Sequence, residues 1–258
     1  MNVDAGGGDV RFNASQLGGA FTVSDGFPLY LEGFIGVARY DPRFVFSNGA
    51  RTTVVVPKWT SVAGTVGVGW DFPITDQIVF RPIANFSLGH IESDLSLAGR
   101  FLASETGVEL EFLENGRLNA VGYGGAAMLD YELYREAYEV DVELRYTHIR
   151  LQSIAGTSEA AKGTADAITL GMWSRLRVPT GYEAFSGPIR AVGELAASSF
   201  LGDQKAIMKT PWLGQIGAGI EFDTSTVCWP PVYRTRLMLR YLIGDNLSGY
   251  SFGLAMSF

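Results

Sequence analysis

The sequence predicts an all-β fold, a transmembrane antiparallel up-and-down β-barrel, and three observations favour this class. In the stretch 135–153, apolar and charged residues alternate, as they do on the two faces of a strand. The chain is 47% hydrophobic and only 18% charged, and its 32 glycines and 12% aromatic residues are typical of strands and tight turns. No uncharged apolar run approaches the ~18 residues of a transmembrane helix, which excludes a helical membrane protein.

The stretch 135–153 carries the strongest single pattern. One parity holds apolar and aromatic side chains: Tyr138, Val140, Val142, Leu144 and Tyr146. The other parity holds Glu139, Asp141, Glu143, Arg145 and Thr147. A soluble sandwich also alternates, but two tyrosines that bracket an aliphatic centre are typical of strands that meet two membrane interfaces. The pattern therefore predicts a barrel strand whose charged face points inward.

The same alternation recurs in nine further segments, which gives ten strands from the sequence. These segments are 28–40, 59–72, 78–90, 119–133, 166–178, 188–200, 212–222, 233–243 and 250–258. The segment 233–243 is especially regular, with Tyr233, Leu237, Leu239 and Tyr241 on the outward side. The sequence therefore divides into a barrel at 28–258 and a Gly-rich N-terminal segment at 1–27.

The sequence does not determine the structure of two segments. Residues 1–27 form a periplasmic or luminal segment or add a strand, and residues 91–118 form a long loop over the mouth or inside it. Two further strands from either segment would bring the total to twelve. The turns at 71–77 and 133–135 are short, whereas long loops are expected at 41–53, 91–118, 154–165 and 201–211. Because short turns are periplasmic in such barrels, we expect both termini to be periplasmic.

A barrel in lipid has to close, because an open sheet edge would leave backbone groups without partners. The charged residues expected to line the lumen are Arg81, Glu139, Asp141, Glu143, Arg145, Arg175, Arg177, Glu194, Glu221, Arg234, Arg236 and Arg240. With Glu32, Asp130, Glu132 and Arg190, the signs nearly balance, which favours a bridged interior. The alternative is an ion or solute path lined by Arg234, Arg236 and Arg240. Inward glycines such as Gly67 and Gly219 are expected to leave space in the lumen.

Several motifs resemble the solitary outer-membrane autotransporter-like β-domains. They are Pro-Leu-Tyr-Leu-Glu-Gly (28–33), Ala-Arg-Tyr-Asp-Pro (38–42), Val-Gly-Val-Gly-Trp-Asp-Phe-Pro-Ile-Thr (66–75), Arg-Pro-Ile-Ala-Asn-Phe-Ser-Leu-Gly (81–89) and Leu-Asp-Tyr-Glu (129–132), together with Trp59 and 135–153. The resemblance runs from about residue 28 to residue 258. It implies a twelve-stranded barrel similar to an autotransporter translocator but without a passenger, since at most 27 residues precede the first firm strand.

The resemblance also implies a location and partners, but no reaction. The C-terminal row looks like the signal read by the barrel assembly machinery, and its residues are Tyr250, Phe252, Leu254, Met256 and Phe258. The expected location is the bacterial outer membrane, in contact with its lipids and lipopolysaccharide, and a further periplasmic or lipoprotein partner is left open. The expected function is structural or that of a binding platform, with a small-solute or ion channel as the alternative.

No catalytic, cofactor-binding or metal-binding residues are predicted. His148 and Ser153 suggest a lipid-modifying barrel enzyme, but residues five apart on one strand point to opposite faces and cannot form a catalytic pair. His90 with Glu92 and Asp94 is better explained as a solvated loop than as a metal cluster. The net charge of −7 argues against a nucleic-acid partner.

Overall fold

The computed structural model describes residues 2–5, 10–41, 44–47, 52–55, 59–93, 117–157, 162–185, 187–203, 211–225, 232–245 and 247–257. These residues form the strands β1 (Asn2–Ala5), β2 (Val10–Ser24), β3 (Phe27–Asp41), β4 (Phe44–Ser47), β5 (Thr52–Val55), β6 (Trp59–Trp70), β7 (Phe72–Pro73), β8 (Ile78–Ser93), β9 (Arg117–Tyr134), β10 (Glu139–Ser153), β11 (Thr164–Ala184), β12 (Gly187–Gly202), β13 (Trp212–Asp223), β14 (Arg234–Gly244) and β15 (Leu247–Ser257). Within these ranges there is no helix long and apolar enough to cross a membrane.

Twelve of the described strands pair antiparallel in a closed ring. The order is β6-β3-β2-β1-β15-β14-β13-β12-β11-β10-β9-β8, and a pairing between β6 and β8 completes the ring. The short strand β7 continues β6 along β8, with Phe72 opposite Phe80. The hairpin of β4 and β5 forms a separate two-stranded sheet. The predicted fold class and the count of twelve strands are confirmed, and all ten strands identified from the sequence are present.

The two additional wall strands come from the N-terminal segment. β1 pairs with β15 on one side and with β2 on the other, so that Asn2 lies opposite both Tyr250 and Asn13. β2 then pairs with β3 along its length. Residues 2–5 and 10–24, whose structure the sequence leaves open, are therefore part of the wall. Residues 94–116, most of the predicted loop 91–118, lie outside the described residues.

The two ends of the barrel differ in their connections. Four short connections, at 25–26, 71–77, 135–138 and 185–186, lie at one end, which we call the turn end. The connections between β3 and β6, β8 and β9, β10 and β11, and β12 and β13 are longer. The strand ends that they join lie at the opposite end, which we call the loop end. These eight connections show the predicted contrast between short turns and long loops. Two connections do not follow it, because residues 224–233 join β13 and β14 at the turn end and only residues 245–246 join β14 and β15 at the loop end.

The outer face of the wall is apolar. Leu239 is 60% exposed and Phe252 is 71% exposed, and the other large outward side chains follow the predicted parity. Aromatic rings are in contact near both ends: Phe27 and Trp70 at the turn end, with ring centroids 5.4 Å apart, and Tyr241 and Tyr250 near the loop end, with ring centroids 5.1 Å apart. An apolar surface of this extent is exceptional for a soluble protein, whereas acyl chains and their interfaces suit it.

The outward position of Leu239 gives a depth-dependent prediction. Leu239→Arg should lower the free energy of unfolding in lipid by ~2–4 kcal/mol, because the substitution places a cation near the middle of the bilayer. Ile243→Arg is the matched control, since Ile243 faces outward on the same strand but close to its loop end. It should cost roughly 0–1 kcal/mol. Equal costs in denaturant titrations would contradict the assigned outer face.

Candidate functional site

The lumen holds the predicted charged residues on the inward face of the wall. The twelve residues named from the sequence all have the inward parity of their strands, and several are deeply buried: Arg81, Asp141, Arg177, Glu194, Glu221 and Arg236. Asp141 shows how tightly they pair, because Arg175 Nε and Arg177 Nη2 both donate to its Oδ2, at 2.8 and 2.9 Å. Glu143 lies half-buried on the same face of β10.

Glu221 is the most enclosed carboxylate of the described residues. It has no exposed surface, and Arg236 donates to its Oε2 through Nε at 2.9 Å and through Nη2 at 2.7 Å. Three further guanidinium groups approach its Oε1, from Arg234 at 3.5 Å, Arg190 at 3.7 Å and Arg177 at 3.9 Å. Four cations on the three strands β11, β12 and β14 therefore surround one anion, and this cluster occupies the turn-end half of the lumen.

Among the described residues, two ion pairs join strands that lie four positions apart in the ring. Arg145 on β10 donates through Nη1 and Nη2 to the two carboxylate oxygens of Glu32 on β3, both at 2.7 Å. Arg234 on β14 donates through Nη1 to Glu139 Oε2 on β10, also at 2.7 Å. In each case three strands of the ring lie between the partners, so the side chains cross the lumen. We call these two pairs the transluminal ties.

A second group of side chains packs around Glu32. Asn85 Nδ2 donates to Glu32 Oε1 at 2.7 Å, and the Tyr30 hydroxyl donates to Oε2 at 3.1 Å. The guanidinium of Arg81 lies 4.1 Å from the centre of the Tyr30 ring. Met128 is buried beside these residues. This group therefore occupies the side of the lumen opposite the Glu221 cluster.

Asp71 was missed by the sequence analysis. It lies between β6 and β7 at the turn end, where it accepts hydrogen bonds from Arg81 and from the Thr22 hydroxyl at 2.6 Å. Burial raises the pKa of the Asp71 carboxyl, but these hydrogen bonds and the Arg81 charge outweigh burial and hold that pKa below its usual range. The alternation of β6 could have indicated that Asp71 points inward, because it follows the inward residues Gly67 and Gly69 at the same spacing of two.

The space beside the inward glycines is occupied by side chains from neighbouring strands. A Cβ at Gly67 would lie 2.5 Å from Glu32 Oε1 and 2.6 Å from Asn85 Nδ2. At Gly219 it would meet the backbone oxygen of Leu237 and the sulfur of Met238, and at Gly253 the guanidinium of Arg240. The expectation that such glycines leave open space therefore does not hold at these positions. Their missing side chains let long polar residues lie flat against the wall.

The residues considered for catalysis or metal binding are not brought together. His148 Nε2 lies 3.2 Å from Asp166 Oδ1 on the outer face, whereas the Ser153 hydroxyl accepts a hydrogen bond from the Gly163 amide at 2.9 Å. Within the described ranges, no group of three His, Cys, Asp or Glu side chains could hold a metal ion. Asp94, Cys228 and Phe258 lie outside the described residues.

No protein-family model and no curated protein sequence matches this chain. The solved structures that are similar to the whole chain include three at 10% sequence identity. The β domain of the Bordetella autotransporter BrkA gives a TM-score of 0.54 and is covered over 95% of its length. The translocator domain of the autotransporter NalP from Neisseria meningitidis gives 0.48 over 85% of its length, and the porin NanC gives 0.44 over 98%.

The similarity to the BrkA β domain is the one of these three that supports the fold assignment. It confirms, at the level of the fold, the resemblance to autotransporter β-domains that the sequence motifs indicate. The chain therefore has the fold of an outer-membrane β-barrel.

The enclosed position of Glu221 predicts a large effect of removing its charge. Glu221→Gln keeps the shape of the side chain but removes the negative charge that lies among four buried or half-buried guanidinium groups. It should lower the free energy of unfolding by roughly 3–5 kcal/mol, the usual cost of breaking a buried ion pair. Glu183→Gln is the control, because Glu183 is an exposed carboxylate on β11 near the turn end. Similar denaturant midpoints for the two variants would contradict the buried cluster.

Proposed function

We propose that this chain is an integral outer-membrane barrel with a lumen closed to solutes, which acts as a structural element or as a binding platform through its loop end. The observation that carries the proposal is the pair of transluminal ties, Arg145 to Glu32 and Arg234 to Glu139. A solute moving along the barrel axis would have to pass both ties. This function requires no chemical step.

The energetics of the ties support a closed lumen. The Glu32 side chain is 1% exposed and the Glu139 side chain 13% exposed. Replacing the arginine partner of either carboxylate by water would therefore cost free energy. Separating a buried pair typically costs several kcal/mol. A barrel of twelve strands is also narrower than the sixteen- to eighteen-stranded barrels that enclose aqueous channels. Spontaneous opening of the lumen should therefore be rare.

The outer face supports the membrane location and the orientation that we propose. Short turns are periplasmic in outer-membrane barrels, so we place the turn end in the periplasm and the loop end outside the cell. The outward row of β15 presents Tyr250, Phe252, Leu254 and Met256 on one side. We propose that this row contacts outer-membrane lipids and is recognised by the barrel assembly machinery. Lipopolysaccharide would surround the loop end.

Conductance in planar bilayers tests the closed lumen. We expect no stepwise current from the wild-type chain or from a variant that lacks residues 94–116. The double variant Arg145→Ala with Arg234→Ala removes both transluminal ties and should show stepwise current, because the lumen loses the side chains that cross it.

The matched control is the double variant Arg135→Ala with Arg150→Ala, which removes two exposed arginines outside the lumen. It should remain silent, and heat-modifiable gel migration establishes that each variant is folded. Stepwise current from the wild-type chain would replace the proposal by a small-solute or ion channel. A folded but silent Arg145→Ala, Arg234→Ala variant would show that the ties are not what closes the lumen.

A further inference from the structure

The short strand β1 lies between β15 and β2, and it does not cover the whole length of either strand. β1 pairs with residues 247–250 of β15 and with residues 10–13 of β2, in the loop-end half of the barrel. Among the described residues, no strand pairs with residues 15–24 of β2 on the side away from β3. The same holds for residues 251–257 of β15 on the side away from β14. We call the space between these two strand edges the seam slot.

The register of β1 fixes the dimensions of the seam slot. Asn2 lies opposite both Tyr250 and Asn13, so continuing the antiparallel register towards the turn end places Leu254 level with Leu17. One missing strand separates the two edges by two interstrand spacings, or about 10 Å. The seven residues 251–257 give the slot a length of roughly 24 Å. The slot therefore has the dimensions of a single short β-strand.

The chemistry of the slot differs between its two faces. On the outer face, Leu17 is 77% exposed and Leu254 is 58% exposed. On the inner face, β15 presents only small residues, among them Ser251, Gly253 and Ala255, and the guanidinium of Arg240 lies beside Gly253. Both edges offer backbone N–H and C=O groups, and leaving such groups without partners in hydrocarbon costs several kcal/mol each. An acyl chain could fill the volume but could not satisfy these groups.

We propose that the seam slot binds one extended peptide segment, which enters from the turn end and runs in the direction of β1, antiparallel to both β2 and β15. The segment should carry apolar residues at the positions level with Phe252, Leu254 and Met256, and small residues between them. β1 already occupies the loop-end part of the same space with this direction and register. The added strand would therefore extend an existing pairing, by the mode known as β-augmentation.

Disulfide capture in the full chain tests this binding mode. In a Cys228→Ser background, Leu17→Cys and Leu254→Cys are made separately, and each protein is refolded in phospholipid. The probe is a synthetic peptide of about nine residues in which valine alternates with alanine and the central valine is replaced by cysteine. We expect this peptide to form a disulfide with either variant, because its central residue would lie between the two positions.

Two controls separate strand pairing from loose apolar association. A peptide with its cysteine moved by one residue would direct that cysteine inward and should give at least tenfold less product. Leu195→Cys, an equally exposed outward position on the fully paired strand β12, should not react with either peptide.

Three results would overturn the proposal. Equal capture of both peptides, or capture by Leu195→Cys, would indicate an unspecific apolar contact. A direct disulfide in the double variant Leu17→Cys, Leu254→Cys without peptide would mean that β2 and β15 close on each other. No capture by folded protein would mean that the slot does not accept a strand. None of these results depends on whether the lumen conducts.

Discussion

Backbone hydrogen bonding around a closed ring is the constraint on which this architecture depends. Hydrocarbon offers no partner for a peptide group, so each wall strand needs a neighbour on both sides. The pairing of β6 with β8 and that of β1 with β15 convert a row of strands into a ring. In a closed ring, successive residues of a strand face lipid and the lumen in turn. The position of a residue in this alternation therefore determines its environment. The seam slot is the part of this ring where the constraint is not yet met by the described strands.

The lumen follows from the same parity. A narrow barrel cannot leave eight arginines and a similar number of carboxylates unpaired in its interior, because each buried charge requires compensation. Here the arginines lie against carboxylates on neighbouring strands or across the barrel, and Glu221 is shared among four of them. Inward glycines such as Gly67 make room for these side chains. The resulting network favours a structural barrel over a conduit.

Much of the wall was predictable from the sequence, because alternation is a local property. Ten strands and their inward and outward faces follow from parity alone, as in 233–243. β2 was harder, since Gly19 interrupts the outward row between Leu17 and Phe21 and weakens the alternation. The sequence therefore left the structure of this segment open, whereas the structure has one strand of fifteen residues there.

The pairing of the lumen residues was not predictable in the same way. Arg145 and Glu32 are 113 residues apart, and Arg234 and Glu139 are 95 apart. Which inward residues share one level of the barrel depends on the stagger between successive strands, and the alternation of one strand carries no information about that stagger. Alternation indicates that Asp71 points inward, but it does not indicate that Arg81 and Thr22 are its partners.

Quenching of single tryptophans by brominated acyl chains tests the central claim, that alternate residues face lipid and lumen. Three variants would each retain one of Trp70, Trp173 and Trp212, with phenylalanine at the other tryptophan positions. Trp70 and Trp212 are 37% and 42% exposed on the outer face, whereas Trp173 lies inward with Arg175 4.7 Å from its ring centre. We predict strong quenching of Trp70 and Trp212 and little quenching of Trp173. Equal quenching of all three, or quenching of Trp173 alone, would contradict the assignment of the two faces.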